Sequence, residues 1–172
     1  MKSLVVYFSH TGENWVGGGI VNLVKGNTEV VAEYIQDIMG ADIFKIETEN
    51  AYPVNYDECT NIAKQEQQKD VRPRLKNMPK NDLSEYDVIF VGGPIWWGTY
   101  PMAVFTLLER YNLSGCVIMP FATHEGSGLG DCVRDVKRAA RGADVKPGLA
   151  LYGSDVANSR AAVEKWSKEN IQ

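Results

Sequence analysis

The sequence predicts an α/β domain, a doubly wound five-stranded parallel sheet in the order 2-1-3-4-5 with helices on both faces. Strand-like and helix-like patterns alternate from end to end, in five rounds. Segments such as 88–91 are apolar throughout and mostly β-branched, as strands covered on both faces must be. Right-handed crossovers between parallel neighbours leave few arrangements for five such units, and 2-1-3-4-5 suits this size. With 172 residues the chain is long enough to bury a core in one domain, and a second is not required.

Each element follows from its residues. The first strand is read at 4–8, and the first helix at 28–39, where Val31, Ile35, Ile38 and Met39 form an apolar stripe that Gly40 ends. The second strand is 41–46. A polar helix follows at 56–68, then an irregular stretch with Pro73 and Pro79 that returns to the sheet at Asp87. The third strand ends at Val91, which places Gly92 onward outside its carboxyl end. Pro101 suits a helix first turn, and Met102, Val104, Phe105, Leu107 and Leu108 make the apolar stripe of a helix reaching Tyr111. The fourth strand is 117–122, a helix opens at Asp131 and runs to Ala140, the fifth strand is 149–152, and a last helix spans 159–168.

Composition excludes several classes of partner. The formal charge is −4, the sequence pI is near 5.2, and lysines and arginines are scattered, which argues against a nucleic-acid or anionic-membrane surface. Cys59, Cys116 and Cys132 are odd in number and widely spaced, with no Cys-x-x-Cys pair, and read as reduced thiols. The chain enters a strand almost at once, and no run approaches the ~20 apolar residues of a membrane span. The expected location is the cytoplasm.

Three turns at the carboxyl ends of the strands carry the chemistry. After the first strand come Ser9, His10, Thr11 and Gly12, and the first helix opens with Asn27 and Thr28. Hydroxyls and free backbone NH groups at a helix start hold a phosphate without a lysine, although the same residues also serve as ordinary caps. After the third strand come Pro94, Ile95, Trp96, Trp97, Gly98, Thr99 and Tyr100. Three large rings on a glycine-flanked loop point to a platform for a flat, conjugated ligand; the alternative for each ring is packing beneath the loop. After the fourth strand come Thr123, His124, Glu125, Gly126, Ser127 and Gly128, where glycines permit close backbone approach and exposed NH groups can reach carbonyl oxygens of a heterocycle. The bland reading there is a flexible turn.

Ser9 to Gly12 with Asn27 and Thr28 resembles the flavodoxin phosphate loop, Ser-x-Thr-Gly-Asn-Thr, interrupted by an insertion. The turns at Pro94 to Pro101 and Thr123 to Gly128 resemble the two flavin-flanking loops of that family, and strand and helix order match over nearly the whole chain. The resemblance implies noncovalent FMN, with Ser9, Thr11, Gly12, Asn27 and Thr28 on the phosphate and the other two turns beside the isoalloxazine ring. A backbone carbonyl near Gly98 would accept from a protonated flavin nitrogen. The departure is the insertion 13–26, with Trp15, three glycines at 17–19 and the apolar Ile20, Val21, Leu23 and Val24. Asn14 is the alternative to Asn27, which is favoured because Asn-Thr-Glu leads directly into the helix. The insertion forms a flap beside the cofactor, a partner contact, or a local hairpin covering the sheet edge.

Competing site types fail on specific residues. A receiver domain needs a carboxylate after the third strand, where this chain has Gly92 and Gly93. Lys25-Gly26-Asn27-Thr28 lacks the order of a P-loop, and Glu125-Gly126-Ser127-Gly128 is no nucleophile elbow. His10 and His124 are candidates for acid–base roles but read more simply as polar contacts. What remains is an FMN electron carrier docking with redox protein partners near the flavin edge, with no catalytic residue of its own. The alternatives are an NAD(P)H-dependent quinone or flavin reductase, or a nonredox FMN-binding module. No metal site is expected, and the oligomeric state is open.

Overall fold

A computed structural model describes residues 1–171. Its main sheet is parallel. Strand β1 (Ser3–Tyr7) lies between β4 (Asp42–Lys45) and β5 (Val88–Pro94), and β5 pairs on its other side with β6 (Val117–His124). Two short strands share the fifth position: β7 (Asp144–Val145) along the start of β6 and β8 (Leu149–Tyr152) along its end. The predicted order 2-1-3-4-5 is therefore observed, with its last strand broken around Pro147 and Gly148. Gly148 is needed there, because a side chain would press on Leu129 and on the Pro120 carbonyl, 2.8 and 3.2 Å from its Cβ.

Alternation along each strand divides the core into two layers. Val5, Tyr7, Phe90, Met119 and Phe121 face α1 (Asn27–Met39) and α5 (Arg160–Glu169), whose Val31, Ile35, Val163 and Trp166 complete that layer. Leu4, Val6, Ile89, Val91 and Ile118 face the other way, onto α3 (Met102–Leu108) and α4 (Cys132–Ala139). Fully burying each such side chain contributes about 1.5–3 kcal/mol. Helix α2 (Tyr56–Gln68) has the bounds that its pattern predicts, and its Asn55 cap accepts from Glu58 N at 3.0 Å. Helix α1 ends at Gly40 in a left-handed conformation, φ 61°.

Three boundaries differ from expectation. β5 does not stop at Val91 but continues through Gly92 and Gly93 to Pro94, paired with β6 throughout. The glycines are strand residues here because neighbouring rings occupy their side-chain space. A Cβ on Gly92 would strike the Phe121 ring, and one on Gly93 would lie 3.0 Å from Tyr100. β6 likewise runs to His124, so Thr123 and His124 are at a strand end rather than on a loop. Helix α3 stops at Leu108, short of Tyr111, as the chain tightens and Arg110 N donates to Leu107 O.

The insertion is a β-hairpin, β2 (Gly12–Val16) with β3 (Gly19–Leu23), a separate two-stranded sheet. Gly17 and Gly18 make its turn with φ of 62° and 90°, the values of a primed two-residue turn. It does not cover the sheet edge. Glu13 N donates to Val54 O and Tyr56 N to Glu13 Oε2, tying its base to the start of α2, while Gly17 N donates to Glu125 Oε2 and fixes its tip beside the end of β6. The hairpin thus stands at the carboxyl ends of the strands. No helix is long and apolar enough to cross a membrane, among the described residues.

Candidate functional site

The ends of β1, β5 and β6 enclose a cavity of about 400 Å³ at the point where chain order reverses between β1 and β5, the place where open α/β sheets bind ligands. Its walls are the turn after β1, the start of α1, the turns after β5 and β6, the hairpin, and one face of α2.

One end of the cavity is built for an anion. Gly26, at the start of α1, has no side chain with which to cap it, and Ser9 Oγ accepts only from the third amide of the helix, Glu29 N, at 3.3 Å. The first amides of the helix, at Asn27 and Thr28, are therefore left for a ligand, with the positive end of the helix dipole behind them. Gly26 lets the two segments close up, since a Cβ there would collide with Ser9 Oγ and lie 2.8 Å from His10 O. Ser9, His10, Asn27 and Thr28 all line the cavity. His10 Nε2 bonds the Pro53 carbonyl at 2.9 Å and fixes the turn. Thr28 Oγ1 is bonded to Thr123 Oγ1 at 2.8 Å, a buried brace between α1 and β6. The structure sets Thr11 and Gly12 apart from this end: Thr11 is exposed, and Gly12 opens β2, packed on Val54. Asn14 also lines the cavity, but its amide donates to His10 O and Gly12 O and so is engaged in folding the turn.

The aromatic turn is a small hairpin. Trp96 N donates to Thr99 O at 2.8 Å, and the residues between them, Trp97 and Gly98, have φ of 57° and 88°. A left-handed tryptophan is uncommon and is held here from two sides. On one side, Trp97 Nε1 donates to Thr60 O, Gln67 Nε2 donates to Trp97 O, and the Lys64 ammonium lies 5.0 Å from the ring centroid. On the other, Asp131 N donates to Gly98 O at 2.7 Å, so one of the carbonyls near Gly98 already accepts one hydrogen bond. Thr99 Oγ1 donates to Asp135, away from the cavity.

The three rings do different things. Trp97 is 48% exposed and borders the cavity. Trp96 borders it too, packed edge-on against Phe8 and Tyr52 at centroid distances of 5.0 and 4.9 Å. Tyr100 corrects the expectation of a three-ring platform. It is fully buried, its hydroxyl donates to Phe121 O at 2.6 Å and lies 3.0 Å from Val91 O, and it is a core residue. Pro94 and Ile95 line the cavity beside the tryptophans.

The turn after β6 is organised by its own histidine. His124 Nδ1 accepts from Gly126 N at 2.9 Å and Gly128 N at 3.1 Å, and the ring packs on Tyr152. Those two amides, expected to reach a heterocycle, instead hold the turn closed. Burial keeps His124 below the ordinary imidazole value, against the opposing pull of Glu125. Glu125 Oε1 accepts from Ser154 N and Oε2 from Gly17 N, so its carboxylate latches the hairpin tip to the chain after β8. Thr123, His124, Glu125 and Ser127 line the cavity, whereas Gly126 and Gly128 do not.

Sequence reasoning missed the α2 wall. Tyr56, Cys59, Thr60 and Ala63 line the cavity, and Trp15 of the hairpin faces Tyr56 across 6.2 Å. The signal was present: positions 56, 59, 60 and 63 form one helical stripe, otherwise read as part of a polar helix. Burial pushes the Cys59 thiol up to about 12, so it stays protonated at neutral pH.

A sequence profile described as Flavodoxin matches residues 20–170. No curated protein gives a match. Among solved structures, a proposed flavoprotein from Bacteroides eggerthii DSM 20697 is 27% identical, with TM-score 0.71, covering 94% of this chain and 97% of that one. A proposed flavoprotein from Bacteroides uniformis ATCC 8492 is 25% identical, with TM-score 0.75 and 98% of both chains covered. A flavoprotein from Lactobacillus acidophilus NCFM, solved in complex with FMN, shares the fold at 24% identity and TM-score 0.65, covering 97% of this chain and 99% of that one. The strand order, the cavity at the switch point and the profile match over 20–170 together establish that this chain belongs to the flavodoxin family.

Proposed function

We propose that this chain binds FMN noncovalently in the cavity and carries single electrons between redox proteins. The observation behind this reading is that one cavity is lined both by a helix start whose first two amides carry no side-chain partner and by an anchored, half-exposed indole, that of Trp97. Ser9, Asn27 and the amides that open α1 would hold the phosphate. No lysine or arginine lines the cavity among the described residues, so its charge would be met by amides and the helix dipole. The ring would lie between the Trp96–Trp97 turn and the Thr123–Ser127 turn. The Lactobacillus acidophilus protein, solved with FMN on this fold, supports the assignment.

Bound FMN would supply the reversible redox chemistry, and the protein would bind, orient and shield it. Trp96 and Trp97 give a wall of fixed orientation, and the closed turn after β6 gives the opposite one. The Glu125 carboxylate at the rim disfavours further negative charge nearby, which would lower the reduction potential. The exposed edge of Trp97 marks where a protein partner would approach. The helix start that lines the cavity would be taken by the FMN phosphate, so the phosphates of a pyridine nucleotide would find neither those amides nor a cationic side chain in the lining, which favours a carrier over an NAD(P)H-dependent reductase. The three free, buried cysteines accord with a reducing, cytoplasmic setting.

The test is reconstitution with FMN, a visible spectrum followed through stepwise reduction, and an assay of NAD(P)H oxidation with a quinone. A yellow protein that reduces stepwise without steady NAD(P)H turnover is expected. Sustained turnover would replace the carrier reading with a reductase, and failure to take up FMN would end both.

A further inference from the structure

We propose that the free edge of β3 pairs with the same edge of a second copy, joining two hairpins into a four-stranded antiparallel sheet across a two-fold axis. No charged residue occurs from Asn14 to Val24, yet Trp15, Ile20, Val21 and Val24 are exposed, Val24 at 93%. Natural edge strands are protected by lysine, proline or a bulge. β3 has none of these.

The register of the hairpin decides which groups face outward. In a two-residue hairpin the closing pair, here Val16 and Gly19, exchanges both hydrogen bonds, and bonded and non-bonded pairs then alternate. Asn14 and Val21 are the next bonded pair. The NH and CO groups of Ile20 and Asn22 therefore point away from β2, and among the described residues no other element bonds them. Val21 is the middle residue of β3. Antiparallel pairing centred on it sets Ile20 opposite the partner's Asn22 and Asn22 opposite the partner's Ile20, so that outward groups meet outward groups. Val21 then faces its own copy on the axis. An uncharged strand can make this self-pairing without repulsion, and the interface is isologous.

A lipid surface would be the other apolar partner, but the tip that would insert is held to the body by Gly17 N on Glu125 Oε2 at 3.2 Å. What the hairpin presents is its long edge. This inference is independent of the cofactor reading.

Sedimentation equilibrium of the FMN-free chain over rising concentration tests it. The wild type is expected to move from monomer to dimer mass. Val21→Lys and Val21→Glu, at an exposed side chain, should each be monomeric where wild type is dimeric, because like charges would meet on the axis. Mixing the two variants in equal amounts should restore the dimer. Ile20→Pro, which removes an outward donor without touching the bonds to β2, should also be monomeric. A wild type that stays monomeric, single variants that dimerise like wild type, or a mixture that stays monomeric would overturn the proposal. Co-sedimentation of monomeric wild type with phosphatidylcholine vesicles would overturn it in favour of a lipid partner.

Discussion

The Trp97 indole nitrogen donates to the Thr60 carbonyl across 2.9 Å, so the exposed ring of the aromatic turn is oriented by α2 rather than by its own loop. Its left-handed backbone is maintained by this bond and by Gln67 on the Trp97 carbonyl. Stacking of a flat ring on an aromatic side chain contributes about 1–3 kcal/mol. Trp97→Ala should therefore raise the FMN dissociation constant about 5- to 150-fold, measured by titrating apoprotein with FMN. Trp97→Phe keeps a ring but loses its tether, and should fall between the two and shift the reduction potential. Unchanged affinity and potential in both variants would remove Trp97 from the site.

Tyr100 belongs to the fold instead of the ligand. Its hydroxyl, fully buried, serves carbonyls on β5 and β6. Tyr100→Phe leaves those acceptors short of a donor and should cost about 1–3 kcal/mol. For a chain of this size that lowers Tm by roughly 3–10 °C. FMN affinity should be unchanged, since the ring lines no part of the cavity. A loss of affinity without a loss of Tm would contradict this division.

These two rings show what a sequence reveals and what it hides. Alternation of apolar strands and amphipathic helices made the doubly wound parallel sheet legible, because it follows from local periodicity and chirality, while the order 2-1-3-4-5 is selected among the permitted ones by the resemblance to flavodoxins. The positions of the three turns were legible too, since they lie at strand ends. Which ring on a turn faces inward was not, because that depends on contacts far along the chain, such as Tyr100 with Phe121. Gly92 and Gly93 read as a strand stop, and only the Phe121 and Tyr100 rings packed over them explain why the strand continues. The role of α2 was hidden for the same reason: Thr60 and Gln67 act through a tertiary contact with Trp97.

The anion end yields a contrast between neighbours. Ser9 and Asn27 line the cavity at the start of α1, whose first two amides have no side-chain partner, while Thr11 is exposed and lies outside the lining. Ser9→Ala and Asn27→Ala should each weaken FMN binding by about 1 kcal/mol, roughly fivefold, with riboflavin, which lacks the phosphate, much less affected. Thr11→Ala should bind FMN as wild type does. Calorimetry with both ligands distinguishes these outcomes, and an equal loss for riboflavin would move the phosphate elsewhere.

His124 makes the turn after β6 sensitive to acid. Burial lowers its ionisation below the ordinary value of 6.5, and Nδ1 accepts from Gly126 and Gly128, so the folded turn requires the neutral ring. A group held lower in the folded state contributes stability that is present above its unfolded value and lost as pH falls through its folded one. Protonation at Nδ1 removes the acceptor for two amides at once. In the FMN-free protein, the amide signals of Gly126 and Gly128 should move together with the His124 ring in an NMR titration, with a midpoint below 6.5. His124→Gln, which has no titrating group, should abolish that transition while other regions titrate as before. Amides that ignore the ring, or a midpoint above the ordinary value, would show that His124 does not hold this turn closed.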